Sequence, residues 1–363
     1  MSKKRLRALV VSAPPANDTL SYQLGWPKAF DDHPDFEPTP FRAFSGGLKG
    51  RFERLQMKLK GFDVVILLHS VFSNSQKISA GLADWIAASR IPVVLFLGNE
   101  YKLMPKKLAF AETIGTALLV SQSDDPGVIK RYQDRLGCKA CGIPNTGLDE
   151  AVFTPGPPLA ERETAWGFRG GPGPEYLGHW QRVDLPIAFE AACAKAGVST
   201  DISAKSDDRF GQVEWAAFLK GIQAIPGCEA GGDYVDFDDK GREAVNTLLR
   251  AKPDASRDEI GKVLEETLPE PQPLRCISGR HIEALGSKTV QALVRGRYNG
   301  FLEAGRHYLP LEPDLSNADE VVAMLQDIPY CQQMVDRTFD EVKGDLTYPA
   351  LVSRLASEIR GVI

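Results

Sequence analysis

The sequence predicts an α/β protein built from two domains, and three observations predict it. Short apolar runs rich in Val, Ile and Leu alternate with stretches of helical periodicity, the pattern of parallel strands covered by helices on both faces. The chain has 363 residues, more than one hydrophobic core usually holds. A Pro- and Gly-rich stretch, Asn145 to Glu163 (NTGLDEAVFTPGPPLAERE), breaks the alternation near the middle and reads as a linker.

Composition narrows the class. Hydrophobic residues make up 43% and charged residues 25%, as in ordinary globular proteins. The net charge of -5 gives no basic footprint for nucleic acid or an anionic membrane. No apolar run reaches the roughly 18 residues of a transmembrane helix. The N-terminus, MSKKRLRALVVSAPP, has the basic start of a signal peptide, but its apolar part is ALVV alone, so a buried first strand and a cytoplasmic protein are expected. Of the 6 cysteines, Cys138 and Cys141 form a C-x-x-C. With no second pair a zinc site is not expected, and reduced thiols are.

Taken in order, Leu6 to Ser12 reads as a buried strand, and Ala13 to Gly50 as loop with one short helix. Phe62 to His69, Pro92 to Leu97 and Thr116 to Val120 are three further apolar strands, and Cys141 to Pro144 a short fifth. Between them Ile78 to Ser89, Lys106 to Ile114 and Pro126 to Leu136 have helical spacing, the last with Pro in its first turn. This half is a doubly wound α/β unit. Ligands in such sheets bind beyond the carboxyl ends of the strands. Those ends carry Ser12, His69-Ser70, Asn99-Glu100-Tyr101 and Ser121-Gln122-Ser123; His69 or Glu100 is a candidate general base, or a satisfied polar residue closing a strand.

A second α/β unit follows the linker. Ala165 to Gly170 is a strand, and Arg169 and Gly170 open a Gly/Pro loop where the arginine reaches a phosphate or is an ordinary surface residue. Leu185 to Ala196 and Val213 to Ile222 are helices; Val198 to Ser203 and Gln223 to Cys228 are strands. Glu229 with Gly231-Gly232 is a second candidate ligand loop. Arg242 to Glu270 holds two helices, the second opened by Ser256 and Glu259 at capping-box spacing.

The stretch Ser278 to Asn317 is the centre of this unit. Ser278-Gly279-Arg280-His281 opens a helix carrying Glu283, TVQALVRG is a strand, Asn299-Gly300 lies in a turn, and HYLPL leads to a helix capped at Ser316-Asn317. A helix N-terminus offers unpaired N–H groups to a phosphate, Arg280 and His281 add donors, and Glu283 is placed to accept from ribose hydroxyls. An ordinary buried turn with a surface glutamate fits the same spacing.

Five stretches stand out: the linker IPNTGLDEAVFTPG, Asp208 to Asp239 with its Glu-x-Gly-Gly and Phe-Asp, SGRHIEALGSKTVQALVRGRYNG, HYLPLEPDLSN, and Leu346-Thr347-Tyr348. In this order they resemble the linker and C-terminal domain of GT-B glycosyltransferases, in particular the bacterial family similar to the spore maturation protein CgeB. The resemblance implies two Rossmann-like domains in GT-B architecture with the ligand cleft between them. Residues 1–148 would be the acceptor side, 149–345 the nucleotide-sugar donor side, and 346–363 a helix returning to the first domain. It implies glycosyl transfer from a nucleotide-sugar donor to an acceptor. Glu283 would contact the ribose; Arg169 and Ser278 to His281 the diphosphate; Glu229 the sugar; His69 and Glu100 the acceptor. Helix N–H groups and arginines stabilise a leaving diphosphate without a metal, so no cofactor and no metal are expected. Asp236-Phe237-Asp238 resembles a metal-binding D-x-D and is read as structural. A non-catalytic nucleotide or sugar-phosphate binder and a nucleotide-sugar epimerase are the alternatives.

Overall fold

Each half of the chain closes on its own parallel sheet in the computed structural model, which describes residues 4–15, 21–44 and 61–363. Strands β1 (Leu6–Ser12), β2 (Phe36–Arg42), β3 (Val64–Leu67), β4 (Val93–Phe96), β5 (Thr116–Ser121) and β6 (Lys139–Gly142) form the first sheet, ordered β2-β1-β3-β4-β5-β6 and parallel throughout. Next in the chain come β7 (Thr164–Arg169), β8 (Thr200–Ser203), β9 (Ile222–Gly227), β10 (Ala230–Gly232), β11 (Leu274–Cys276), β12 (Val290–Val294) and β13 (Leu309–Leu311). Five of these make a second parallel sheet, ordered β13-β12-β9-β7-β8, and β10 pairs antiparallel with β11 beside it. This is an α/β fold of two Rossmann-like domains.

Alternation along β1 shows why the strands are apolar throughout. Leu9 and Val11 enter the core under the helices Ala80–Ser89, Met104–Thr113 and Pro126–Leu136. Leu6, Ala8 and Val10 enter the core on the opposite face, with Leu351, Val352, Leu355 and Ile359 of the last helix, Tyr348–Arg360. Successive strand side chains point to opposite faces, so a sheet covered twice is apolar at every position. The last helix thus completes the N-terminal sheet, although the second sheet precedes it in the chain.

Local chemistry sets the element ends. Asp125 Oδ1 accepts from the N–H groups of Gly127 (2.8 Å) and Val128 (3.2 Å), with Pro126 at the first helical position. Ser256 and Glu259 form the expected capping box: Glu259 N–H donates to Ser256 Oγ at 3.3 Å, and Ser256 N–H to Glu259 Oε2 at 2.9 Å. Asn317 departs from expectation. Its side chain accepts from Glu312 N–H (2.9 Å) and donates to the Pro310 carbonyl (3.0 Å), bracing the loop before Ala318–Met324 rather than capping that helix.

Other differences have physical reasons. The expected loop from Ala13 to Gly50 contains, besides the helix Ser21–Lys28, the strand β2. Its residues 16–20 and 45–50 lie outside the described residues. Pro38 and Pro40 argue against a strand, yet β2 sits at the sheet edge, where alternate residues need no N–H donor. Helix Gln181–Ala196 starts four residues before the expected Leu185 and carries Pro186 in its second turn. That extension brings Arg182 into the first turn.

Each sheet has a point where the strand order reverses. In the first sheet it lies between β1 and β3, in the second between β7 and β9. Open parallel sheets bind ligands beyond the strand ends at such points.

Candidate functional site

A cavity of about 480 Å³ is lined from both sheets. From the second sheet, the strand ends Arg169-Gly170 of β7 and Gly227-Cys228 of β9 form one wall, together with the start of helix Gly279–Gly286. The other wall comes from Asn99, Tyr101 and Lys102 after β4, and Gln122 after β5. Asn145 and Thr146 of the linker lie on the cavity as well. Both sheets therefore use the carboxyl ends of their strands.

The charge on this wall is one-sided. The lining holds Lys102, Arg169, Arg182, Arg209 and Arg280 against a single carboxylate, Glu283. Arg169 is neutralised by Asp201, 2.7 Å away, and lies over the rings of Phe210 and Phe218. Arg280 donates to the Arg169 carbonyl. Among the described residues Arg182 and Arg209 have no side-chain hydrogen bond and no carboxylate partner. Burial and the positive charge of Arg182 and Arg209 push the Arg280 guanidinium down to about 10. Cations held together without acidic partners destabilise one another, and an anion in the cavity removes that cost.

The helix Gly279–Gly286 points its N-terminus at these cations. Its flanking residue Ser278 donates its N–H to His281 Nδ1 at 3.1 Å. That bond places the imidazole proton on Nε2. Burial first, then Arg280 and Arg182, lower the His281 imidazole to about 3, so it is neutral at pH 7. The N–H groups of Gly279 and Arg280 have no acceptor among the described residues and lie at the cavity. Helix N–H groups with converging guanidiniums make an anion site. Gly279 is required by close approach: a Cβ there would lie 2.9 Å from Thr146 Oγ1.

Glu283 stands one turn inward, buried. Its Oε2 accepts from Trp215 Nε1 at 2.7 Å, and the Ser21 hydroxyl donates to it as well. Burial raises its pKa, and these donors oppose the rise. A carboxylate so placed can accept hydrogen bonds from hydroxyl groups at the cavity.

The sequence-expected residues divide into two groups. Arg169, Gly170, Ser278, Gly279, Arg280, His281 and Glu283 line the cavity. His69, Glu100, Glu229, Asn299 and Gly300 do not. His69 is buried among Tyr22, Trp26 and Phe96, and burial lowers it to about 3. Glu100 turns inward and accepts from Ser121 Oγ, Gln122 N–H and Tyr132 Oη, all at 2.7 Å, which ties the β4 and β5 ends to the helix Pro126–Leu136. Glu229 Oε1 accepts from Tyr298 N–H at 2.8 Å, bracing the turn after β12. Asn299, at φ 53°, accepts from Ile277 N–H (2.7 Å) and donates to the Gln122 carbonyl (3.0 Å). Gly300 is exposed at φ 73° in the same turn. Position at a strand end is thus a poor guide to which way a polar side chain turns. In the Asp236-Phe237-Asp238 triplet, the Asp236 carboxylate accepts from the N–H groups of Lys240 (3.1 Å) and Gly241 (2.8 Å) and so caps the helix Lys240–Ala251.

Arg182, Arg209 and Trp215 also line the cavity, though their place in the sequence did not single them out. The available signal was the loop Arg209 to Gly211 before an amphipathic helix, and a helix start moved to Gln181.

No protein-family model matches the chain, and no curated protein matches it in sequence. Solved structures do match in fold. Anabaena Alr3699/HepE in complex with UDP superposes with TM-score 0.52 at 10% identity, covering 98% of this chain and 100% of that one. The same protein in complex with UDP-glucose gives 0.50 at 9% identity, and in complex with UDP and glucose 0.52 at 10%, with the same coverage. The fold is that of GT-B glycosyltransferases, two Rossmann-like domains. No helix among the described residues is long and apolar enough to cross a membrane.

Proposed function

We propose that the chain is a glycosyltransferase of the CgeB-like kind, which takes a sugar from a nucleotide-sugar donor held in the cavity between its two sheets. The observation that carries this is the cavity wall itself: arginines without acidic partners among the described residues gather at the N-terminus of helix Gly279–Gly286, with Glu283 one turn away. In this reading the diphosphate accepts from the N–H groups of Gly279 and Arg280 and from the guanidiniums of Arg280 and Arg209. The ribose donates to Glu283. The second domain, residues 149–345, is then the donor side, and residues 1–148 the acceptor side. The UDP and UDP-glucose held by HepE make UDP the first nucleotide to try.

The chemistry that follows is electrostatic. Breaking the bond from sugar to phosphate leaves charge on the departing diphosphate, and donors already in place stabilise it without reorganising. Arginines and helix N–H groups supply that charge, so we propose transfer without a metal. Asn99, Gln122, Asn145 and Thr146 offer neutral donors and acceptors for sugar hydroxyls. The general-base roles expected of His69 and Glu100 are not retained, since neither faces the cavity.

Incubation with UDP-glucose tests the reading. Slow release of UDP without acceptor, unchanged by EDTA and abolished in Arg280→Ala, supports a metal-independent transferase. Conversion of the donor to an isomer supports an epimerase instead, and tight binding of UDP-glucose with no turnover a binding protein.

A further inference from the structure

Two of the diphosphate donors, Arg280 and Arg209, lie against adjacent glycines of the loop that follows β7. A Cβ at Gly170 would sit 3.3 Å from Arg280 Nη1, and one at Gly171 would sit 2.6 Å from Arg209 Nη2. Arg280 is held there by its own helix and by its bond to the Arg169 carbonyl. Arg209 is held differently. It is exposed, in the loop between β8 and the helix Gln212–Gly221, and its side chain makes no hydrogen bond among the described residues. An exposed arginine loses side-chain entropy when it is fixed in one place, so a preformed site needs its loop to be fixed by something else.

That loop is pinned on both sides of Arg209. Before it, Ser203 Oγ donates to Asp208 Oδ2 at 2.5 Å. After it, the Phe210 ring packs 5.4 Å from the ring of Phe218 on the helix. The Arg169 guanidinium lies over both rings, 4.8 Å from the Phe210 centroid and 4.7 Å from that of Phe218. A guanidinium is attracted to aromatic faces at such distances. Arg169 is itself anchored: it donates to Asp201 Oδ1 at 2.7 Å, and to the Phe168 and Asp201 carbonyls at 2.9 Å each. Both of its terminal nitrogens are thus engaged inside the protein. The stack continues beyond Phe218. Trp215 lies 5.5 Å from it at 21°, and Trp215 Nε1 donates to Glu283. One column of side chains runs from the Arg209 loop to the carboxylate assigned to the ribose.

We infer that Arg169 is a positioning residue and not a ligand of the diphosphate: its side chain clamps Phe210 against Phe218 and so fixes Arg209 over Gly171, while its carbonyl fixes Arg280 over Gly170. The inference rests on the nucleotide-sugar reading and deepens it, since it names what sets the two arginines before a ligand arrives. It also parts Arg169 from the diphosphate contact that the family resemblance implies for it.

Calorimetric titration with UDP tests it through a double-mutant cycle. Arg209→Gln removes a charge-assisted donor to phosphate and is expected to weaken UDP about tenfold or more. Arg169→Gln and Phe210→Ala are each expected to weaken it about tenfold in the wild-type background. In the Arg209→Gln background each costs less than about threefold, because residues that act through one group are not additive. Phe210→Tyr, which keeps the ring, stays within about threefold of wild type. Melting curves show that each variant is folded at the titration temperature. Should Arg169→Gln not be folded, Phe210→Ala, at a half-buried loop position, carries the same test. An equal loss for Arg169→Gln with and without Arg209 makes Arg169 a direct ligand and overturns the inference, and so does full UDP affinity in Phe210→Ala. Either result leaves the nucleotide-sugar reading standing. Failure of the wild type to bind UDP overturns both.

Discussion

At the scale of single residues, the site is a matter of which charges have partners. Arg280 is half-buried beside two other guanidiniums, and Glu283 is buried with Trp215 and Ser21 as donors. Removing a charge-assisted donor to phosphate loses about 1.5–3 kcal/mol. Arg280→Ala is therefore expected to weaken UDP binding about 10- to 100-fold, measured by calorimetry. His69 behaves differently. Its folded-state pKa is depressed to about 3 from 6.5 by burial, so the fold holds it neutral while the unfolded chain takes up a proton below pH 6.5. Stability from this group is complete above pH 6.5 and is lost as pH falls toward 3. His69→Phe, in a pocket already lined by Trp26 and Phe96, is expected to match wild type at pH 7.5. As pH falls below 6.5 it should gain on wild type by about 1.4 kcal/mol per pH unit, read from denaturant unfolding. Sequence made Arg280, His281 and Glu283 legible because they share one short helix. Arg182 and Arg209 were not legible, because whether an arginine has an acidic neighbour depends on elements far apart in the chain. His69 and Glu100 misled for the same reason: a strand end fixes where a residue is, not the direction its side chain takes.

Elements depend on close approaches that tolerate no side chain. Gly231 in β10 has φ 92°, and a Cβ there would sit 1.7 Å from the Leu274 carbonyl oxygen of β11. Gly231→Ala is expected to cost about 2–4 kcal/mol and to lower the melting temperature clearly. At Gly279 the clash is with the Thr146 side chain at 2.9 Å. Gly279→Ala is expected to push the helix N-terminus off the linker, weakening UDP about tenfold with a smaller loss of stability. Most elements were legible from periodicity, since strands covered on both faces leave long apolar runs. Strand β2 was not, because FEPTPFR reads as loop until its place at the edge is known.

At the scale of the molecule, the two sheets are joined by more than the linker. Arg297 Nη1 lies 2.8 Å from Asp125 Oδ2, and Asn299 links the Gln122 carbonyl to Ile277 N–H just before the Ser278 helix. Asn299→Ala removes two buried hydrogen bonds and an asparagine suited to positive φ. It is expected to lower stability by about 2 kcal/mol and to weaken ligand binding without touching the ligand, as melting curves and calorimetry will read out. The last helix, Tyr348–Arg360, belongs to the core of the sheet made by the first residues of the chain. Leu351→Ala there is expected to cost about 2–5 kcal/mol.

The proposed function requires an anion site for a nucleotide diphosphate between the sheets, built from arginines and a helix N-terminus. A thermal-shift series with UDP, GDP, dTDP and CMP in EDTA, on wild type, Arg280→Ala and Glu283→Ala, tests it most directly. One nucleotide is expected to raise the wild-type melting temperature by mass action, and both variants to lose the rise. No rise with any nucleotide, or a rise that both variants keep, would contradict it.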